Sequence, residues 1–307
     1  MFTIAFQNVL LTLLYVFPGF LLTKARKAIA DHLSTLSAVL VYVCSPCLLL
    51  NSFLQLSFST EVLLYMVLFL VVTLLSQISF MGICVLIFRK RWEDARYRIV
   101  TIASALGNVG FFGLPIVKAL LPGHPEVMCY SAMYAISMNL IAFTVGVFCL
   151  TKDKKYMTVR VGLLNPSTIA FAVAILCLVS GFTEYVPSLL RNSIRLLGEM
   201  STPLCMLILG IRLGTVSLKK LFLRPSVYLA CLGKLVLYPL FAYLLVAFLP
   251  LPFSFKASVL ILSATPCASI ILNLAEMHRS ETELSANAVL LSTLICFITI
   301  PLLVLIL

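Results

Sequence analysis

The sequence predicts an all-α polytopic membrane protein of ten transmembrane helices, arranged as a five-plus-five inverted repeat. Three observations carry this reading. Of 307 residues, 62% are hydrophobic and only 11% charged, whereas a soluble domain averages about 45–50% apolar and about 25% charged. The apolar residues fall in ten runs, each near the roughly 20 residues that a helix needs to cross hydrocarbon. The basic residues gather in every second connection between those runs.

The expected spans are Thr3–Leu22, His32–Phe53, Glu61–Phe88, Ile99–Leu121, Val127–Leu150, Leu164–Phe182, Ser193–Val216, Pro225–Leu249, Ala257–Met277 and Leu284–Leu307. The first has no basic residues before it and no small-residue cleavage site before Lys24, so it reads as a permanent span rather than a signal peptide. Sixteen cations follow odd-numbered spans: Lys24, Arg26, Lys27; Arg89, Lys90, Arg91, Arg96, Arg98; Lys152, Lys154, Lys155, Arg160; Lys219, Lys220, Arg224; and Arg279. Four lie on the other side: Lys118, Arg191, Arg195 and Lys256. The positive-inside rule then places the odd connections in the cytoplasm and both termini outside.

Two halves of opposite orientation follow, 1–151 and 164–307, joined by a short cytoplasmic connection at 152–163. Local matches support the split. Cys44-Ser45-Pro46 in the second span has a counterpart in Ser201-Thr202-Pro203 in the seventh, and Pro115 in the fourth has one in Pro266 in the ninth. Inverted repeats of this kind are a signature of secondary transporters.

Other classes are disfavoured. The net charge of +11 lies in short loop clusters rather than on a folded basic face, which argues against nucleic acid. The ten cysteines lie mostly inside apolar runs, where a free thiol behaves as a small hydrophobe. Cys44 and Cys47 form a CxxC, but mid-span and without a βαβ setting, so helix packing around Pro46 is the better account. His32, His124 and His278 lack metal-ligand spacing. No GxSxG, HExxH, P-loop or dinucleotide fingerprint is present. The expectation is a protein that is not an enzyme, with no cofactor and no metal.

The strongest local feature is Gly107-Asn108-Val109-Gly110-Phe111-Phe112-Gly113-Leu114-Pro115, in the middle of an otherwise apolar span. Each glycine costs a helix about 1 kcal/mol relative to alanine. Pro115 has no N–H and frees the Phe111 carbonyl; Pro266 frees that of Leu262 in the same way. Free carbonyls at membrane depth are tolerated only inside the protein or beside a cavity. Two broken helices at matched places in two halves therefore point to a midplane binding site. The exposed half-helix N-termini favour an anion there. The competing account of the glycines is close helix packing.

Asn108, Asn139 and Asn273 are mid-span polar groups that line a cavity or bond across helices. Of the charges within spans, Arg212 reads as snorkelling to the interface. Lys234, deep in the eighth span, Glu199, one turn before Pro203, and Glu276, at the inner end of the ninth span, are groups that pair or carry a coupling proton, with Glu199 and Glu276 the candidates for ion coupling.

The segment from Gly107 to Pro115 resembles the N-x-G-F-x-G-x-P signature of the auxin efflux carrier family, which includes bacterial permeases for malate and malonate. Leu22-Thr23-Lys24, Ser45-Pro46, Leu209-Gly210-Ile211-Arg212-Leu213 and Ala264-Thr265-Pro266 are weaker matches in the same order along nearly the whole chain. The resemblance implies unwound fourth and ninth helices crossing at their prolines, Pro115 and Pro266. It also implies a scaffold domain, often dimeric, and an elevator-like moving domain. Asn108 matches the family's asparagine near the substrate carboxylate. Plant auxin carriers often have a long hydrophilic loop between the halves; here the connection is only about Thr151 to Arg160, which favours a compact bacterial-type carrier of the inner membrane.

The combined expectation is a carrier for a small organic anion working by alternating access in a lipid bilayer. Asn108 and Gly110 would meet the substrate with Asn139, Thr265, Ser269 and Asn273, while Gly107, Gly113, Pro115 and Pro266 hold the crossing. A sodium-coupled organic-anion symporter of the bile-acid type and a non-transporting receptor are the alternatives.

Overall fold

A computed structural model describes residues 2–29, 31–54, 59–164, 166–215 and 224–307. Val216, Lys219 and Lys220, part of the expected seventh span and its basic connection, lie outside the described residues. The described residues are helical, without a strand; their one β feature is an isolated antiparallel bridge between Gly107 and Cys267.

Among the described residues seven helices are long and apolar enough to span a membrane: α1 (Phe2–Lys24), α2 (His32–Phe53), α3 (Thr60–Ile87), α6 (Val127–Thr151), α8 (Ser188–Thr215), α9 (Pro225–Ala247) and α12 (Thr282–Ile306). Shorter apolar helices stand among them. The region expected as one fourth span is two helices, α4 (Ala95–Ala105) and α5 (Val109–Leu120). The expected ninth span is likewise two, α10 (Phe253–Ser263) and α11 (Ile270–Met277). The sixth region is α7 (Pro166–Val179).

Local chemistry explains several of these boundaries. The Ser59 hydroxyl accepts from the Glu61 N–H at 3.3 Å and starts α3. The Asp94 carboxylate accepts from the Arg96 N–H at 2.9 Å and starts α4, which satisfies one of the orphan donors of a first turn. The Arg96 guanidinium grips the same carboxylate and holds its pKa below the usual value.

The described residues contain four π-helical segments: Leu40–Cys44, Val109–Gly113, Ala142–Gly146 and Gly233–Leu237. Three of them end two residues before a proline, at Pro46, Pro115 and Pro239. A proline ring clashes with the carbonyl four residues back. Widening the preceding turn by one residue moves that carbonyl aside and lets the helix continue. Pro115 therefore sits inside a continuing helix, α5. The chain leaves helical geometry earlier, at Leu106 to Asn108, so the first break lies upstream of Pro115, where the sequence reading had put it. Pro266 does lie within the second break, between Ser263 and Ile270.

The helices pack in two groups, with the N-terminal half of α1 lying against α5 and α12 where the groups meet. In one, α8 lies against α1 and α2, and α7 lies against α2. The α1–α8 seam is a backbone contact. A Cβ on Gly19 would overlap the Leu207 carbonyl, and one on Gly210 would overlap the Val16 carbonyl. Gly210 and Gly214 are four apart on one face of α8, the small-xxx-small spacing that lets membrane helices approach. Gly198 meets the Leu48 backbone of α2 in the same way, and Phe53 and Phe171 join α2 to α7 at 5.4 Å.

In the other group, α3 packs on α6, α9 and α10. Phe69 stacks on Tyr130 at 4.7 Å and meets Phe255 edge-on at 4.9 Å. The Tyr238 hydroxyl ties α9 to α6 through Tyr134 at 2.7 Å and to α3 through Ser76 at 3.3 Å. α4 and α12, both packed on α9, complete this group.

Gly210→Ala is expected to lower the apparent Tm of purified protein by several degrees, because its methyl has no room. Gly82→Ala on α3, where a Cβ meets nothing within 4 Å, should leave Tm unchanged or raise it, since alanine is the better helix former. Thermal unfolding of both variants checks the seam.

Candidate functional site

The two breaks face each other. The Asn108 N–H donates to the Pro266 carbonyl at 2.8 Å, and the Ala268 N–H donates to the Leu106 carbonyl at 3.0 Å. Between them Gly107 and Cys267 pair as the isolated bridge. The extended segments thus satisfy groups that a helix would have satisfied internally, as hydrocarbon requires. Side chains complete the accounting: the Cys267 N–H donates to Ser292 Oγ at 3.0 Å, and Ser131 Oγ donates to the Val109 carbonyl at 3.0 Å.

Both carbonyls freed by proline are taken by threonine. Thr202 Oγ1 donates to the Phe111 carbonyl at 2.9 Å from α8. Thr265 Oγ1 donates to the Leu262 carbonyl at 2.8 Å within its own turn. Each of these threonines immediately precedes a proline, Pro203 or Pro266.

Glycines permit the approach. A Cβ on Gly107 would overlap Thr265 Oγ1 and meet Lys234 Nζ at 2.9 Å, and one on Gly113 would meet Thr265 Cγ2 at 2.8 Å. Gly110 has open space where a Cβ would point. Asn108 is buried, and its Nδ2 lies 3.8 Å from Cys205 Sγ on α8. The C-terminal ends of α4 and α10 and the N-terminal ends of α5 and α11 converge here, so carbonyl-rich and N–H-rich ends share one place.

Of the residues singled out in the sequence, the structure gathers Gly107, Asn108, Gly113, Thr265 and Pro266 at the breaks. Gly110 and Ser269 flank them, half-buried, with Ser269 just before α11. Pro115 is a turn further into α5. Asn139 is half-buried on α6 beside Gly162, whose Cβ would meet the Asn139 carbonyl at 3.3 Å, so it packs near the connecting segment rather than at the breaks. Asn273 is exposed on α11. Glu199 is exposed and pairs with Arg195 at 2.9 Å, and Glu276 is exposed on α11.

Three residues matter more than the sequence reading allowed. Lys234 is one of three in-span groups that the sequence offers for pairing or proton coupling, and the structure buries it fully at the crossing. The sequence marks Thr202 only within Ser201-Thr202-Pro203, the counterpart of Cys44-Ser45-Pro46, and Cys205 not at all. A hydroxyl beside a proline is the signal that pointed to Thr202. An apolar groove lined by Leu50, Phe53, Val173, Cys177, Leu190 and Ile194 shares no residue with the breaks.

A family model described as membrane transport protein matches residues 4–160 and 150–304. The chain belongs to this membrane transport family. The resemblance to auxin efflux carriers is thereby borne out. The chain is also similar to an uncharacterized transporter of Methanocaldococcus jannaschii, with 23% identity over 301 residues covering 96% of each chain. Family membership and seven span-length apolar helices make this membrane transport protein a multi-pass membrane protein.

Thr202→Val should leave the Phe111 carbonyl without its donor. The expected loss is about 1–2 kcal/mol, the scale of an interhelical hydrogen bond in a membrane. Thr202→Ser should retain most of the stability, and unfolding of the two variants side by side distinguishes the hydroxyl from the methyl.

Proposed function

We propose that this protein is a secondary carrier of a small organic anion, a carboxylate such as malate, malonate or an auxin-like acid, working by elevator-type alternating access. The observation that carries the reading is the pair of facing breaks, closed by the Asn108–Pro266 and Leu106–Ala268 hydrogen bonds, with open space beside Gly110. Irregular backbone at membrane depth is expected where it lines a substrate site. The Asn108 amide and the N-terminal end of α5 supply donors for a carboxylate.

Ten crossings follow if each broken pair counts as one span and α7 as another. Two inverted halves meet near residues 152–163, where the two family-matched stretches also meet, and both termini lie outside. The grouping of α1, α2, α7 and α8 against the rest supports a static bundle, a candidate homodimer contact, and a moving one. The Thr202 bond to Phe111 and the Asn108 contact with Cys205 link the breaks to α8, so movement of the second group would exchange them. Glu199 and Glu276 are the carboxylates proposed for ion coupling.

The test is uptake of labelled malonate, malate and indole-acetate into proteoliposomes, with and without a proton gradient. Saturable flux of one of them is expected. Asn108→Ala should abolish substrate binding while leaving the gel-filtration profile and Tm intact; binding by that variant at the wild-type level would remove Asn108 from the site. Absence of flux of all three by folded protein would count against the carboxylate class.

A further inference from the structure

Lys234 lies in the π-helical turn of α9, fully buried. Its ammonium donates to the carbonyl of Ser263, the last residue of α10. It also stands over the Tyr238 ring, 4.9 Å from the centroid. No carboxylate pairs with it among the described residues. The ionisable side chains that face it are the Tyr238 phenol and the Cys267 thiol.

Burying an unpaired ammonium costs several kcal/mol, so its position needs a return. The C-terminal end of a half-helix carries partial negative charge and unsatisfied carbonyls. In transporters with discontinuous helices, such carbonyl ends are where a coupling cation is held. Lys234 places a covalently attached cation at that kind of end.

We infer that Lys234 is a resident cation: its ammonium, held by the Ser263 carbonyl and the Tyr238 face, fills the place at the end of α10 that a coupling metal cation would take, so the crossing closes without sodium. The neighbouring backbone is shaped for it. Gly107 has no Cβ, and a methyl there would lie 2.8 Å from Lys234 Cε and 2.9 Å from Nζ. Gly233, the preceding residue, lets α9 lie against Ser104 of α4. The lysine stem thus passes the bare Gly107 backbone of one break and reaches the Ser263 carbonyl at the edge of the other. The positive charge stays with the protein, which suits a site for an anion. The inference therefore rests on the carrier reading for its purpose, but not for its test.

That test reads stability and needs no substrate. Thermal unfolding of full-length protein in lipid nanodiscs is measured in choline, sodium and ethylammonium chloride. The wild type is expected to melt alike in all three. Lys234→Ala should melt several degrees lower in choline and recover at least half of that loss in ethylammonium or sodium. Lys234→Gln, near in shape but neutral, should remain as low as Lys234→Ala in choline, and Lys234→Arg should stay closer to the wild type. A wild type stabilised by sodium overturns the inference. So does a Gln variant that melts like the wild type, or an Ala variant, folded or not, that none of the added cations restores. In proteoliposomes, flux that collapses when sodium is replaced by choline overturns it as well, whereas absence of flux in every condition speaks only to the carrier reading.

Discussion

Everything at the centre of this molecule depends on where two interrupted helices put their backbone hydrogen bonds. In water an interrupted helix loses little, because solvent replaces each missing partner. In hydrocarbon no such substitute exists, and each orphan group costs several kcal/mol. Here the two interruptions serve one another. Asn108 and Ala268 donate across the gap to Pro266 and Leu106, and Ser292, Ser131, Thr202 and Thr265 supply the remaining donors or acceptors. Neither break is tenable without the other, which is why α4, α5, α10 and α11 must be read as one unit.

Steric emptiness is the second requirement. Extended segments approach this closely only if side chains are absent, and Gly107 and Gly113 are the positions where an added carbon would strike Thr265. The α1–α8 seam uses the same device for a different end, bringing two backbones together at Gly19 and Gly210. One glycine set opens a polar place inside the protein. The other welds two spans into a unit that gives the rest something to lean on.

Much of this was legible in the residues. Apolar run length and charge placement identify the membrane class. Prolines and glycines within a run mark the interruption, because their effects on backbone geometry are local and do not depend on neighbours. The exact position of the break was not legible. Pro115 reads as the interruption, but the π turn at Val109–Gly113 absorbs it and moves the break to Leu106–Asn108. The destinations of Asn139 and Asn273 were equally hidden, since a polar residue on a span can face the centre, a neighbour or the rim, and only packing decides. Lys234 shows the same limit from the other side: its charge is plain in the sequence, its contact with the end of α10 is not.

The π turns carry one further consequence. Each holds one residue more than an α-turn, so the faces before and after it are offset by about 100°. A helical wheel drawn straight through α2, α6 or α9 is therefore a false map beyond Cys44, Gly146 or Leu237. The stripe that meets lipid at one end of such a span continues as a different set of positions at the other. Any account of which residues in this protein touch lipid must be phased separately on the two sides of every π turn.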